Sequence, residues 1–119
     1  MQDKPVIYFV MTQCAPNLED KFNSWYENTH VPMLLKSEHV SGATRYKIAP
    51  MTDRFEPATG KEPPSYMAIY EFKNQQAFEA WNSSAEVAAA REERQGSWGE
   101  KGFEVLSRGV CEPLRAWHK

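Results

Sequence analysis

Long apolar runs are missing from this chain of 119 residues. The longest, Val6–Met11, is far too short to cross a membrane. The opening Met-Gln-Asp-Lys-Pro lacks the apolar centre of a signal peptide, so a cytoplasmic setting is expected. There is no excess of positive charge: Lys and Arg are scattered among Asp and Glu, and the net charge is −2. A nucleic-acid binder would carry a basic stripe, and none is present. Cysteine is scarce. Cys14 and Cys111 stand alone without a CxxC spacing and read as small buried apolar residues in a reducing compartment. Phosphate loops, nucleophile elbows and His-Glu-x-x-His runs are absent. Gly96, Gly99 and Gly102 lack a preceding strand and a following helix, so they form no dinucleotide fingerprint. Internal repeats and low-complexity segments are absent as well.

What is present suits one packed domain. Two cores could not both be filled at this length, whereas 41% hydrophobic and 13% aromatic residues suffice for one. Pro5–Gln13 reads as a strand that is apolar at both parities, which requires cover on both faces. Asn17 is placed to cap a helix over 18–30, with Glu19 and Asp20 in its first turn. Leu18, Phe22, Trp25 and Thr29 form its inner face, and Pro32 is expected to stop it. Met33–Lys36 packs back after that break. Val40–Ala49 alternates in polarity and reads as an edge strand, with Val40, Gly42, Thr44, Tyr46 and Ile48 as its more apolar parity. Pro50–Pro64, with four prolines, is a long loop. Ser65–Phe72 is a third strand, apolar on both sides. Asn74 caps a second helix carrying Phe78, Trp81, Ala85, Ala88 and Ala89 along one side. A charged turn, Arg91–Arg94, ends that helix, and three glycines mark a loop around Trp98. Phe103–Trp117 is a fourth strand, broken or bulged near Gly109 and Pro113.

The order β-α-β-β-α-β predicts an α+β fold of the ferredoxin-like kind: a four-stranded antiparallel sheet with two helices on one face. Two helices cover only one face, yet the first and third strands are apolar on both. Each buried methylene is worth about 0.8 kcal/mol, so an uncovered face is a strong drive to associate. The simplest cover is the same face of a second copy, and a homodimer through the sheet faces is expected.

The run Phe22-Asn-Ser-Trp25-Tyr26-Glu27-Asn-Thr-His30-Val-Pro32-Met-Leu-Leu-Lys36, followed by Val40-Ser-Gly-Ala-Thr-Arg45-Tyr46, resembles the EthD-like branch of the dimeric α/β-barrel superfamily. In the turn before the second strand, where relatives often carry Pro-Gly, this chain has Ser37-Glu38-His39. The resemblance implies a pocket between sheet and helices in each subunit. In this superfamily such pockets house cofactor-independent isomerisation of lactones, cyclisation of polyketides or oxygenation of quinol-like aromatics. Some members bind haem, and some have no known reaction.

His30 is the leading catalytic candidate, at the margin of the buried helix face four residues after Tyr26. The bland alternative is a histidine that caps the helix C-terminus. Tyr46 is the second catalytic candidate: it faces the pocket or the dimer core and could donate to a developing oxyanion, or it is a packed core tyrosine. Arg45 points to the opposite face, where it would hold a carboxylate or make a surface ion pair. Tyr8, Tyr66 and Tyr70 on the strands, with Phe22, Trp25, Tyr26 and Trp81 from the helices, are candidates to line an aromatic pocket for a hydrophobic ligand; each is equally an ordinary core residue. Glu27 and His30 match a Glu-x-x-His spacing, but no second copy exists to complete a metal site, so no metal and no cofactor are expected. Glu27 could instead orient His30. Two functions follow. One is a cofactor-free isomerase, cyclase or lyase acting on an oxygen-bearing aromatic, lactone or polyketide-like compound, with a cofactor-free monooxygenase of quinol-like aromatics as a variant. The other is a non-catalytic ligand-binding or accessory protein.

Overall fold

The computed structural model describes residues 4–48, 66–99 and 102–119. The predicted loop Pro50–Pro64, the last residue of the predicted second strand and the first of the third lie outside the described residues. Four strands, β1 (Val6–Cys14), β2 (Gly42–Lys47), β3 (Tyr66–Phe72) and β4 (Phe103–Cys111), form one antiparallel sheet in the order β2-β3-β1-β4. The two strands that are apolar at both parities are thus the central pair, and the alternating strand lies at an edge, as expected. The helices α1 (Glu19–Trp25), α2 (Val31–Leu34), α3 (Gln75–Asn82) and α4 (Ala85–Trp98) cover one face. This is the predicted α+β, ferredoxin-like arrangement.

The first helix differs from expectation at both ends. Asn17 does not cap it: a 3-10 turn, Pro16–Leu18, leads straight into α1, and no side chain caps the entry. Pro32 does not stop it either. A π turn over Tyr26–His30 closes with Val31 N–H bonded to Tyr26 O, and the helix continues to Leu34. Pro32 has no N–H, and its ring would clash with the carbonyl four residues back in a regular helix. Placing it in the first turn after a π turn, where an amide is spare, removes the conflict.

The second helical segment is two helices. Asn74 caps α3 as predicted, accepting from Ala77 N–H at 2.8 Å. Ser84 then starts α4, and its hydroxyl accepts from Val87 N–H at 3.2 Å. Ala88 and Ala89 turn outward, while Val87, Ala90 and Trp98 are buried. The expected loop around Trp98 is the last turn of α4. It ends at Gly99, whose positive φ of 61° is a backbone geometry that glycine adopts at little cost. The fourth strand stops at Cys111, and its register shift lies opposite Met11/Thr12 rather than at Gly109 or Pro113. Cys14 is half-buried and Cys111 is exposed, so the expectation of two buried cysteines fails for the second.

The core is aromatic. Phe22 is fully buried between Tyr26, Phe103, Tyr66 and Trp98, with ring centroids 5.0–6.1 Å away. Burying one such side chain contributes about 1.5–3 kcal/mol. Tyr70 and Phe72 from β3 pack against Trp81 of α3. On the opposite face Ile7, Phe9, Met11, Met67 and Ile69 are only half-buried within a single chain. Among the described residues no helix is long and apolar enough to cross a membrane.

Candidate active site

A cavity of about 90 Å³ lies between the sheet and the helices. Tyr8, Val10 and Tyr70 of the central strands form its floor, with Phe103 and Val105 of β4 at one side. Tyr26, His30 and Leu34 from the first helix and Trp81, Val87 and Ala90 from α3 and α4 form the walls and roof. Asn82, Arg91, Arg94 and Arg108 complete its lining.

The π turn sets the orientation of His30. Its i→i+5 bonding brings residues five apart onto one flank, and the His30 ring stacks on Trp25 at 4.5 Å and 21°. The ring also meets the edge of Tyr26 at 5.1 Å. Trp25 is itself fixed, because its Nε1–H donates to Glu93 Oε1 of α4 at 2.7 Å. Burial lowers the His30 pKa to about 4; the positive charge of Arg94 adds to this and the Glu93 carboxylate opposes it. The imidazole is therefore neutral near pH 7. Its Nδ1 is buried and has no hydrogen-bond partner among the described residues. Tyr70 OH, in a residue only 1% exposed, makes no hydrogen bond of full geometry, although the Tyr26 hydroxyl lies close enough to act as its acceptor. Burial raises the Tyr70 pKa well above 10, with Tyr26 adding to the shift, so its phenol remains a donor. Burial raises Tyr26 as well, against the pull of Arg45. Trp81 is locked by donation from its Nε1–H to Leu34 O at 3.1 Å.

Of the residues expected at a site, Tyr8, Tyr26, His30, Tyr70 and Trp81 meet at this cavity. Trp25 stands behind His30, and Phe22 is sealed in the core. Tyr66 lies elsewhere on the sheet, where its hydroxyl donates to Glu19 Oε1 at 2.8 Å and accepts from Asn23 Nδ2 at 3.2 Å. Tyr46 is on the far face of the sheet and 49% exposed, so it does not line the cavity. Arg45 is on the helix face, but it spans Tyr26 at 4.4 Å and bonds Glu27 and Asn23, each at 2.9 Å. Glu27 therefore holds Arg45 rather than orienting His30. Among the described residues no three His, Cys, Asp or Glu side chains gather as a metal site would.

No motif in the sequence marks the arginines as part of a site. Arg91–Arg94 reads as a solvated turn, yet Val87, Ala90, Arg91 and Arg94 follow the i, i+3, i+4, i+7 spacing of one helix face. That spacing was the available signal. Arg108 carried none, because the register shift in β4 decides which way it points.

No curated protein matches the chain. Solved structures share its fold at low identity. HapK from Hahella chejuensis is 13% identical with a TM-score of 0.66, over 96% of this chain and 97% of that one. An ethyl tert-butyl ether D (EthD) family protein from Bacillus halodurans is 14% identical with a TM-score of 0.65, over 93% and 99%. A dabb family protein with a ferredoxin-like fold from Mesorhizobium loti is 14% identical with a TM-score of 0.60, over 96% and 99%. The expected resemblance to the EthD-like branch is borne out in the fold. A family model described as a domain of unknown function, DUF4286, matches residues 5–107, and the chain belongs to that family.

Proposed function

We propose that this chain binds a small, hydrophobic, oxygen-bearing molecule in the cavity and moves a proton on it without a cofactor, as an isomerase, cyclase or lyase. One observation carries the reading: a neutral imidazole and an un-ionised phenol, His30 and Tyr70, border the same aromatic cavity, His30 Nδ1 is buried without a partner, and the buried Tyr70 hydroxyl has only the Tyr26 hydroxyl beside it. An unpaired buried polar group costs about 1–3 kcal/mol, and a ligand oxygen or an acidic proton would satisfy both. His30 serves as base, and Tyr70, in the role first considered for Tyr46, donates to the oxygen on which charge develops. The capping alternative for His30 loses support, because the helix continues four residues past it and a neutral ring adds nothing to a helix dipole. The chain is further proposed to pair with a second copy over the face of Ile7, Phe9, Met11, Met67 and Ile69, where Tyr46 would join the interface. Two free cysteines suit a reducing, cytoplasmic setting.

The test is exchange of the α-protons of 2-indanone, a hydrophobic carbon acid, followed by NMR in deuterated buffer. The wild-type chain should accelerate exchange, and His30→Gln should slow it by about 10²-fold or more while binding persists. Equal rates in the two proteins, or binding with no exchange above buffer in either, would reduce the chain to an accessory ligand carrier.

A further inference from the structure

Three arginines border a cavity that is otherwise largely aromatic and apolar. Arg91 and Arg94 come from α4, and Arg108 comes from β4 on the other side. Among the described residues none of the three forms a salt bridge. Nor is this a generally basic surface, since the chain carries 16 acidic and 14 basic residues. Two of the three are held in place. The Arg94 guanidinium lies 4.7 Å from the centre of the Phe103 ring, and Arg91 donates to Asn82 Oδ1 at 3.1 Å. Beyond Arg94 and Arg108 an open groove of about 420 Å³ runs along β4 past Leu106 and Ser107. The cavity alone, at about 90 Å³, is smaller than the roughly 150 Å³ that takes up a benzene ring. A ring entering from the groove would therefore leave one end beside the guanidinium groups.

We propose that the ligand of this cavity is an aromatic carboxylic acid whose ring oxygen points inward to Tyr70 and His30 and whose carboxylate is held at the mouth by Arg94 and Arg108, with Arg91 adding its charge. This rests on the reading of the cavity as a small-molecule site and names the substrate class for it. Arginine suits the task, because its planar fork matches a carboxylate with two parallel hydrogen bonds and stays charged at every working pH. The binding has a chemical consequence. A carboxylate beside Arg94 offsets the charge that disfavours protonation of His30, so the bound acid makes the imidazole a better base.

The test is calorimetric titration with 4-hydroxybenzoate and with its neutral isostere 4-hydroxybenzamide. The wild-type chain should prefer the acid by about tenfold or more, a preference that shrinks as salt is added. The double variant Arg94→Gln/Arg108→Gln should bind both compounds about equally, at the affinity of the amide. Arg94→Lys keeps the charge without the fork and should fall between the two. Should the wild-type chain bind acid and amide alike, the carboxylate assignment fails and the cavity reading stands. Should it bind neither, both fail. A preference that survives the double variant also overturns the assignment.

Discussion

Lowering the pH should destabilise this protein through one side chain. His30 is stacked between Trp25 and the edge of Tyr26, and protonating it places a charge where little water reaches it. Its pKa is about 4 in the folded chain, against 6.5 for the exposed group. The folded value is the lower one. Between those two pH values the unfolded chain therefore binds a proton that the folded chain refuses. Stability is at its full value above about pH 6.5, falls as the pH drops through the window, and levels off below about pH 4. The complete gap is worth about 3 kcal/mol, of which about 2 kcal/mol is lost by about pH 5. Urea unfolding followed by tryptophan fluorescence at neutral pH and at about pH 5 measures the loss. Other groups titrate in the same range, so the comparison is with His30→Gln, which cannot titrate. The wild-type chain should lose about 2 kcal/mol more than the variant over that interval. Parallel losses in the two proteins would refute the reasoning, because His30 would then be free to take up a proton in the folded state.

Two further outcomes test the architecture. Asn74→Ala removes the acceptor for Ala77 N–H at the start of α3 and should cost about 1 kcal/mol in urea unfolding, with no change in slope. Phe9→Lys puts a charge in the centre of the half-buried outer sheet face; sedimentation should find the wild-type chain paired at low micromolar concentration and the variant single, and a single wild-type chain would end the proposed pairing.

The ferredoxin-like order was legible because it is written in periodicity. Val6–Met11 and Tyr66–Tyr70 are apolar at both parities, which only central strands tolerate, and β2 alternates as an edge strand does. The same periodicity left open which face Tyr46 and Arg45 would take. In a sheet with two apolar faces, polarity along one strand does not say which face meets the helices. Arg45 lies on the helix side because its guanidinium covers Tyr26 while Glu27 and Asn23 accept its hydrogen bonds. Pro32, by contrast, misled. A stop signal in local chemistry became a π turn once the helix had a core to pack against.

Local sequence thus determined the strands, their order, the cap at Asn74 and the two-sided hydrophobicity of the central strands, since each follows from a residue and its near neighbours. It also singled out His30, by type and by its place at the edge of a helix face. Only the tertiary structure decided that His30 is neutral, that Tyr70 rather than Tyr46 accompanies it, and that arginines from α4 and β4 meet at one mouth. Desolvation, and the convergence of elements distant in the chain, arise only when the helices close over the sheet.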